Sequence, residues 1–480
     1  MNKVWSFDNT KLVVLLFITI FVVYMQPALS HLYFIVLVLL AYRSNNSYFW
    51  LAFIFVLLQA PGGLFSAGAR DDMQRLPLFS LGPGLSFTTF EIFMVVLLFK
   101  ALLMRSEKEN IFKRDFTVLA FVIIFYFLFS IFIGLSERNL MLTLRGLLSW
   151  TWLIIIPTLL DNREDVRKLM QLLFPIVILA FASQVYTYIT GFYFDDILRG
   201  TDPGRYARQI DDTSQIASRV MNSPYLILIC FAMALYYIIK NDKSFPSAYL
   251  FAILFISCFT IFLSATRGWM IAFTGMLLLA LSGQGTVMFK KAIGIFIVSM
   301  VILYFLMLQF PFLERQMELS LERARTMEQL VGGDVTAGGT LGRIDQRGPR
   351  VLSIFNESPL FGFGFSDDFR EYFDDHVGHH SLLLNVGILG YALVMGIFLK
   401  WIIMFYRIPF QLKKSGYSGG GEYHSFGIML IGILIIHSTS TQFIGFYFVF
   451  LYKYFVYALL FGLFIPLYNS DLKSSEYSDK

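Results

Sequence analysis

The chain has 480 residues, of which 57% are hydrophobic, 18% aromatic and only 15% charged, and its mean hydropathy is +0.65. Soluble domains are roughly half apolar and about one quarter charged, so this composition excludes a water-soluble globular protein. The formal net charge is +5, and the two cysteines, Cys230 and Cys258, both lie inside apolar runs, which excludes a disulfide framework and a cysteine zinc site.

Apolar runs separated by short polar breaks follow one another along almost the whole chain. A membrane-spanning helix needs about 20 mostly apolar residues, so the pattern predicts an all-α polytopic membrane protein with about 12–14 transmembrane helices. One transmembrane domain uses residues 1–480 and leaves no room for a separate soluble domain. The first run is either a retained span or a cleaved signal peptide that ends near residue 30. In chain order the predicted spans are 12–25, 31–42, 48–60, 88–103, 115–134, 140–160, 167–191, 222–240, 246–264, 266–282, 288–310, 381–406, 425–443 and 445–466.

Lysine and arginine alternate between the loops as the positive-inside rule requires. With the N-terminus in the cytoplasm, the inner loops receive the basic residues of 105–114, 163–168, 240–243, 290–291 and 407–414. We therefore expect a multi-pass protein of the bacterial inner membrane with both termini in the cytoplasm, including a tail of residues 467–480. The basic residues left on the outer side are all arginines, which favours phosphate binding because guanidinium donates two parallel hydrogen bonds. Codon or lineage bias is the alternative explanation.

Two outer loops are long, 192–221 and 311–380, and we expect function to reside there. The larger, a periplasmic loop containing helices, begins with an apolar stripe at helical spacing that predicts a helix lying on the membrane or capping the bundle. The glycine-rich segment after this helix is interpreted as a hinge, since it lacks the lysine of a nucleotide-binding loop. The stripe consists of Leu313, Met317, Leu321, Ala324 and Met327.

Arginines at or inside spans are candidate ligands for an anionic substrate, because an ionisable group is costly within a membrane. Arg267 is the strongest, since two long apolar runs meet there with almost no loop between them. Arg145 lies several residues into its run and needs either a buried partner or an anionic ligand. Arg219 directly precedes a span, and Arg199 lies earlier in the same outer loop.

Three of the six histidines lie where the large loop meets the next span, at His376, His379 and His380. An imidazole that titrates near neutral pH can take a proton from a sugar hydroxyl, so these are candidates for a catalytic base. We predict no metal, because acids and histidines clustered at a loop end are more often simply solvated. His437, near the outer end of a later span, is interpreted as a hydrogen-bonded packing residue.

Three motifs in this order resemble the O-antigen ligase and polymerase family. SATRGW at 264–269 is similar to that family's Ser-x-x-Arg start of a span, and GRIDQRGPRVLSIFNESPLFGFGF at 342–365 is similar to its arginine-led helix ending in a Pro-x-x-Gly-x-Gly turn. GHHSLLLNVGILG at 378–390 resembles its histidine-led helix with two glycines. The resemblance implies a GT-C-like helical bundle that acts on undecaprenyl-pyrophosphate-linked glycans at the periplasmic face without metal, nucleotide sugar or cofactor.

Carried over by position, the resemblance implies that Arg267 binds the pyrophosphate and that His379 activates the acceptor hydroxyl, with Arg219 or Arg145 as a second phosphate ligand. The chain departs from the family pattern in that His380, not asparagine, follows His379, and Gly387 arrives sooner than usual. Taking His376 as the match restores the spacing but loses the local Gly-His pattern. The choice between these histidines stays open.

The function expected from these features is transfer or polymerisation of a lipid-linked glycan, such as O-antigen or another surface polysaccharide. Its partners would be the undecaprenyl-pyrophosphate-linked donor, a glycan or lipid A-core acceptor, the bilayer, and a chain-length regulator or flippase, with no nucleic acid. Ligase and polymerase are not separated by sequence. A lipid-linked oligosaccharide flippase or other transporter is the alternative from another class, and it predicts internal pseudo-symmetry. A membrane scaffold of an envelope assembly complex is a second alternative, and such a protein would need no buried cations.

Overall fold

The computed structural model describes residues 5–25, 27–58, 78–82, 85–104, 110–190, 221–282, 301, 305, 308–334, 343–414, 419–439, 443–444 and 451–478. Helices dominate this part of the chain. They are α1 Phe7–Met25, α2 Pro27–Arg43, α3 Ser47–Leu57, α4 Thr89–Leu103, α5 Lys113–Ile133, α6 Glu137–Leu148, α7 Trp152–Leu159, α8 Arg163–Thr190, α9 Pro224–Lys240, α10 Ser247–Leu263, α11 Arg267–Ser282, α12 Pro311–Val331, α13 Gly348–Leu352, α14 Asp367–Tyr372, α15 Gly378–Lys414, α16 His424–Thr439 and α17 Leu451–Ser478.

Five helical segments among the described residues are long and apolar enough to cross a membrane, and five shorter apolar helices accompany them. The chain is accordingly all-α in class, with the apolar helices of a membrane protein. The long segments are Lys113–Ile133, Glu137–Leu159, Arg163–Tyr188, Gly378–Lys414 and Lys453–Lys473. The shorter ones are Ala28–Arg43, Ser47–Leu57, Pro224–Lys240, Ser247–Leu263 and Arg267–Ser282. The predicted span 288–310 falls mostly outside the described residues.

A short β-hairpin before α4 departs from the all-α prediction. Strands β1 Leu78–Gly82 and β2 Leu85–Thr88 pair antiparallel. Thr88 ends β2 and begins α4, where its hydroxyl accepts from the Glu91 backbone N–H at 3.3 Å and the Glu91 carboxylate accepts from the Thr88 N–H at 2.6 Å. This reciprocal capping satisfies two donors that a helix start leaves without partners.

The predicted span 140–160 consists of two helices. A 3-10 turn at Ser149–Thr151 separates α6 from α7, and Trp150 in this turn packs on Tyr454 of α17, with ring centroids 4.8 Å apart. The two helices differ in composition, because α6 carries charged residues such as Arg138 and Arg145 whereas α7 carries none.

The segment predicted as a cytoplasmic tail, 467–480, is helical as far as Ser478, and Asp471 within it is only 3% exposed. The Asp471 carboxylate accepts from Lys240 at 2.6 Å, from the Tyr423 hydroxyl at 2.8 Å and from Arg163 at 3.4 Å. Lys240 also lies 3.3 Å from Glu422. This charge cluster joins α8, α9, the turn before α16 and α17 at one end of the bundle. Buried charges are tolerated only when paired, so the contacts explain why this segment packs.

Helix α12, which begins the large loop, caps the opposite end of α8. Leu313 and Met317 are buried against Tyr188 and Leu263, whereas Leu321 further along the predicted stripe is 48% exposed. Gln316 donates to the carbonyl of Leu263 at 2.5 Å, one of the last carbonyls of α10, which have no partner within their own helix. The capping alternative therefore describes the first half of α12.

Candidate functional site

Arg267 stands at the start of a helix, in a very tight connection between α10 and α11. α10 ends at Leu263, and Ala265 has a left-handed backbone with φ of 50°. The backbone carbonyl of Thr266 accepts from the backbone N–H of Met270 at 3.0 Å. Arg267 is thus the first residue of α11. The first-turn N–H groups of a helix lack intrahelical acceptors and carry partial positive charge, so the guanidinium and the helix start favour the same kind of ligand, an anion.

A buried polar network holds this connection in place. The Leu263 carbonyl accepts from the Tyr188 hydroxyl at 2.9 Å and from Gln316. Gln184 donates to the Tyr188 hydroxyl at 2.8 Å and to the Thr260 carbonyl at 2.9 Å. Because buried polar groups that are paired fix one geometry, α8 and α12 together determine where α11 starts.

His379 lies in the first turn of α15 and is held by two side chains. Its Nε2 is 3.2 Å from the Ser438 hydroxyl, and its Nδ1 is 3.0 Å from the Tyr391 hydroxyl. Its ring also meets the buried His437 ring edge to face, with centroids 4.8 Å apart. His437 was interpreted as a hydrogen-bonded packing residue; the structure shows its packing contact with His379, which the sequence did not indicate.

Arg267 and His379 lie at the same end of the bundle, each at a helix start that contacts the last turn of α16. Gly268, the neighbour of Arg267, packs so closely on α16 that a Cβ there would overlap Thr439. Ser438, the residue before Thr439, is the one that contacts His379. The last turn of α16 therefore contacts both the arginine-led start of α11 and the histidine-led start of α15.

The other two candidate histidines are more exposed. His376 is 50% exposed beside Asp375, with 3.5 Å between Nε2 and Oδ1, and its backbone N–H donates to Asp374 at 2.8 Å. The His380 side chain faces away from the interior and is exposed. Of the three, His379 is the one that the structure joins to α16. Among the described residues no group of three or more His, Cys, Asp or Glu side chains could hold a metal ion.

Of the other candidate arginines, one pairs with a buried carboxylate and two lie outside the described residues. Arg145 forms a two-point ion pair with Glu91, with 2.7 Å from Nε to Oε1 and 3.1 Å from the second nitrogen to Oε2, and Glu91 is 2% exposed. Of the two alternatives for Arg145, the structure thus supplies the buried partner. Arg219 and Arg199 lie outside the described residues, so their roles stay predictions.

The Pro-x-x-Gly-x-Gly turn of the large loop is bonded to a break in α15. At Gly387 the backbone leaves the helix, with φ 62° and ψ −174°. The Leu384 and Asn385 carbonyls accept from the N–H groups of Phe363 and Gly364 at 2.9 and 2.7 Å. Beyond the break, the N–H groups of residues 388 and 389 donate to the carbonyls of residues 359 and 360 at 2.9 and 3.2 Å. Two motifs of the sequence therefore form one backbone-bonded unit, in which the loop satisfies the groups that the break exposes.

Helix α14 fastens the same loop to the start of α6. The Asp367 carboxylate accepts from Asn139 at 2.5 Å and from the Ser136 backbone N–H at 3.1 Å. Arg370 donates to the Thr143 hydroxyl at 3.0 Å. The Asn139 hydrogen bond, reinforced by those from Ser136, holds the pKa of Asp367 below its ordinary value despite an opposing effect of burial.

We expect this contact to weaken in acid. A carboxyl whose pKa is lower in the folded protein stabilises it above the unfolded value of about 3.9, and this stabilisation is lost as the pH falls toward the folded value. The protection of residues 363–372 against hydrogen exchange, relative to the intrinsic rate at each pH, should therefore fall below about pH 4. In Asp367→Asn, exchange of these residues should be faster already at neutral pH. The part of the acid-induced loss of protection that the Asp367 carboxyl causes should be absent. The matched control is Asp368→Asn, the exposed neighbour; equal exchange in the two variants would contradict the prediction.

An apolar cavity is lined by residues of α5, α7, α15 and α17 and by Phe443. Its lining includes Leu119, Trp150, Ile397, Trp401, Tyr457 and Phe443, among others. Phe443 also packs on Trp269, two residues after Arg267, with ring centroids 5.9 Å apart. One aromatic side chain thus separates the apolar cavity from the first turn of α11.

Sequence reasoning missed three residues near these elements. Tyr391 follows the second glycine of the histidine-led motif, and nothing local indicates that it contacts His379. Ser438, which contacts His379, was not singled out in the sequence although it directly follows His437. Lys453, with 1% of its surface exposed and its Nζ 5.1 Å from the Tyr454 ring centroid, had a usable signal, namely one charge inside a long apolar run.

No family model matches the chain, and no curated protein matches it.

Proposed function

We propose that the chain is a membrane glycosyltransferase that transfers or polymerises an undecaprenyl-pyrophosphate-linked glycan at the periplasmic face of the bacterial inner membrane. The observation that carries the proposal is that the helix starts bearing Arg267 and His379 both contact the last turn of α16. A cation at a helix start and an imidazole at a neighbouring helix start are what a reaction with a diphosphate leaving group and a hydroxyl nucleophile needs.

In the proposed reaction the acceptor hydroxyl attacks the anomeric carbon of the lipid-linked sugar. The bond from that carbon to the pyrophosphate oxygen breaks, and the pyrophosphate leaves with the electron pair. Arg267 and the first-turn N–H groups of α11 stabilise the charge that develops on the leaving group. His379 receives the proton that the acceptor loses. No ATP or nucleotide sugar is required, because the lipid pyrophosphate is already an activated donor.

The apolar cavity supports a lipid-linked donor. Its lining of leucine, isoleucine and aromatic side chains has the apolar chemistry to contact part of an isoprenoid chain, although its volume of about 40 Å³ admits only a few methylene groups. Its boundary at Phe443 lies beside the helix that begins with Arg267. The same proposal includes three further statements: the large loop is periplasmic, the bundle is GT-C-like, and the acceptors are glycans.

The test uses a strain that lacks the gene and carries Arg267→Ala or His379→Ala on a plasmid, with membrane levels of each variant measured. We expect surface glycan to be lost or to remain at the length of a single unit in both strains. His424→Ala is the matched control, because His424 lies at the other end of α16, where it stacks on Tyr406. Normal glycan chain length and attachment in both variants, at normal membrane levels, would rule out this mechanism. The deletion phenotype distinguishes a ligase from a polymerase.

A further inference from the structure

The hydrogen bonds around His379 determine which nitrogen of its ring is free to accept a proton. The Ser438 hydroxyl donates to the Leu434 carbonyl at 3.0 Å, as serine often does one turn back in a helix. Its oxygen can therefore only accept from His379 Nε2, which must carry a hydrogen. In the neutral ring Nδ1 then has the lone pair, and the Tyr391 hydroxyl donates to it at 3.0 Å.

The contact between His379 and Tyr391 exists because α15 is broken between them. Twelve residues of a continuous α-helix rise about 18 Å, which is beyond the reach of these two side chains along one helix. The break at Gly387 redirects the chain after the first turns of α15. The loop residues bonded to this break therefore also hold Tyr391 against the imidazole.

We propose that Tyr391 is the group through which the acceptor's proton reaches His379. The inference rests on the proposed glycosyl transfer and names a further residue of that site. Since the Tyr391 hydroxyl occupies the lone pair of Nδ1, a proton arrives at this nitrogen by way of the phenol oxygen.

The step balances as two linked proton transfers. The acceptor O–H bond breaks, and its proton passes to the Tyr391 oxygen while the phenolic proton passes to His379 Nδ1. The acceptor oxygen forms its bond to the anomeric carbon, and the pyrophosphate departs with the electrons of the broken bond. The imidazolium has both nitrogens protonated, with Ser438 and Tyr391 accepting from them, and it later returns a proton to solvent.

The proposal is tested with the purified full-length protein in nanodiscs. The substrate is the lipid-linked glycan that accumulates in the deletion strain, and single-turnover rates are measured in mixtures of H₂O and D₂O. We expect Tyr391→Phe to lower the rate about 10- to 100-fold, since positioned proton transfer contributes about 10²–10⁴-fold. The KM and the affinity for undecaprenyl pyrophosphate should not change. A plot of the rate against D₂O fraction should be curved for the wild type and straight for Tyr391→Phe, because one of the two moving protons is lost.

Tyr406→Phe is the matched control, since Tyr406 lies on the same helix and stacks on a histidine at the other end of the bundle, with centroids 4.9 Å apart. It should leave the rate within about twofold of the wild type, because this half-buried tyrosine lies away from the proposed site. A wild-type rate in Tyr391→Phe would overturn the proposal. So would a fall in rate accompanied by equal losses of substrate affinity and thermal stability, which indicates a packing role.

Ser438→Ala provides a second, independent variant on an exposed position. Without the acceptor for Nε2–H, the other tautomer becomes populated and Nδ1 is blocked for part of the time, so the single-turnover rate should fall severalfold. An unchanged rate contradicts the assigned tautomer. If Arg267→Ala and His379→Ala are also fully active, the proposed function itself fails; if they are inactive while Tyr391→Phe is fully active, only the tyrosine relay fails.

Discussion

Gly387→Ala is expected to destabilise the protein strongly and to abolish glycan transfer. The backbone at Gly387 has φ 62° and ψ −174°, a region that is essentially restricted to glycine and costs other residues about 1–3 kcal/mol. A Cβ at this position would also overlap the carbonyl of Leu360, which is backbone and cannot turn aside. Overpacking of this kind costs about a further 1–3 kcal/mol. The loop would separate from α15, and the support for the His379–Tyr391 contact would be lost.

The measurement is the midpoint of unfolding of the purified protein in detergent, together with hydrogen exchange of residues 359–365. Gly396→Ala is the matched control in the same helix, because a Cβ there meets nothing within 4 Å. Alanine should leave that site neutral or stabilise it by about 0.5–1 kcal/mol, since glycine inside a helix is unfavourable. Equal unfolding midpoints and equal exchange in the two variants would show that the break does not depend on glycine.

Asp471→Ala is expected to destabilise the protein by about 3 kcal/mol, because removing one partner of a buried ion pair leaves charge without compensation. Asp471 is 3% exposed, and it accepts hydrogen bonds from Lys240, Arg163 and Tyr423. Glu422 still faces Lys240 at 3.3 Å in the variant, which keeps the loss from being larger. The same unfolding measurement in detergent checks this expectation.

The control at the same end of the bundle is Glu164→Ala. Glu164 pairs with Arg167 one helical turn away, but its side chain is 48% exposed, so the expected change is about 0–1 kcal/mol. A second comparison replaces Lys240 and both carboxylates that it pairs with, in Lys240→Met, Asp471→Leu and Glu422→Gln together. If the charges themselves are costly to bury, this triple variant recovers most of the stability that Asp471→Ala loses. A small effect of Asp471→Ala, similar to that of Glu164→Ala, would mean that the cluster is solvated.

The loop and the break in α15 connect features that are far apart in the chain. The Tyr126 hydroxyl of α5 donates to the Val386 carbonyl at 2.5 Å, and the Ser130 hydroxyl of the same helix accepts from the Phe365 N–H at 2.6 Å. The glycines at 362 and 364 also have left-handed backbones, with φ of 68° and 55°, where they contact α15 and α5. A rearrangement of α5 would therefore be transmitted to the loop, and through it to the start of α15.

The positions of many helices follow from the sequence alone. The predicted spans 222–240, 246–264 and 266–282 correspond to helices Pro224–Lys240, Ser247–Leu263 and Arg267–Ser282. These bounds are predictable because apolar length and the polar breaks between runs are local properties of the chain. The same local pattern identified the tight connection that carries Arg267.

Tertiary structure decided the features that depend on partners distant in sequence. Charge and hydropathy do not distinguish the two interpretations of Arg145, a buried partner or an anionic ligand. Only the tertiary contact between α6 and α4 identifies Glu91 as its partner. Asp471 looked like part of a polar tail until Lys240 and Arg163 supplied its counter-charges. Tyr391 reaches His379 only through a helix break whose exposed backbone groups are satisfied by a loop more than twenty residues away in sequence. Composition and periodicity indicate whether a residue requires a counter-charge or a hydrogen-bond partner. The tertiary structure determines which residue is that partner.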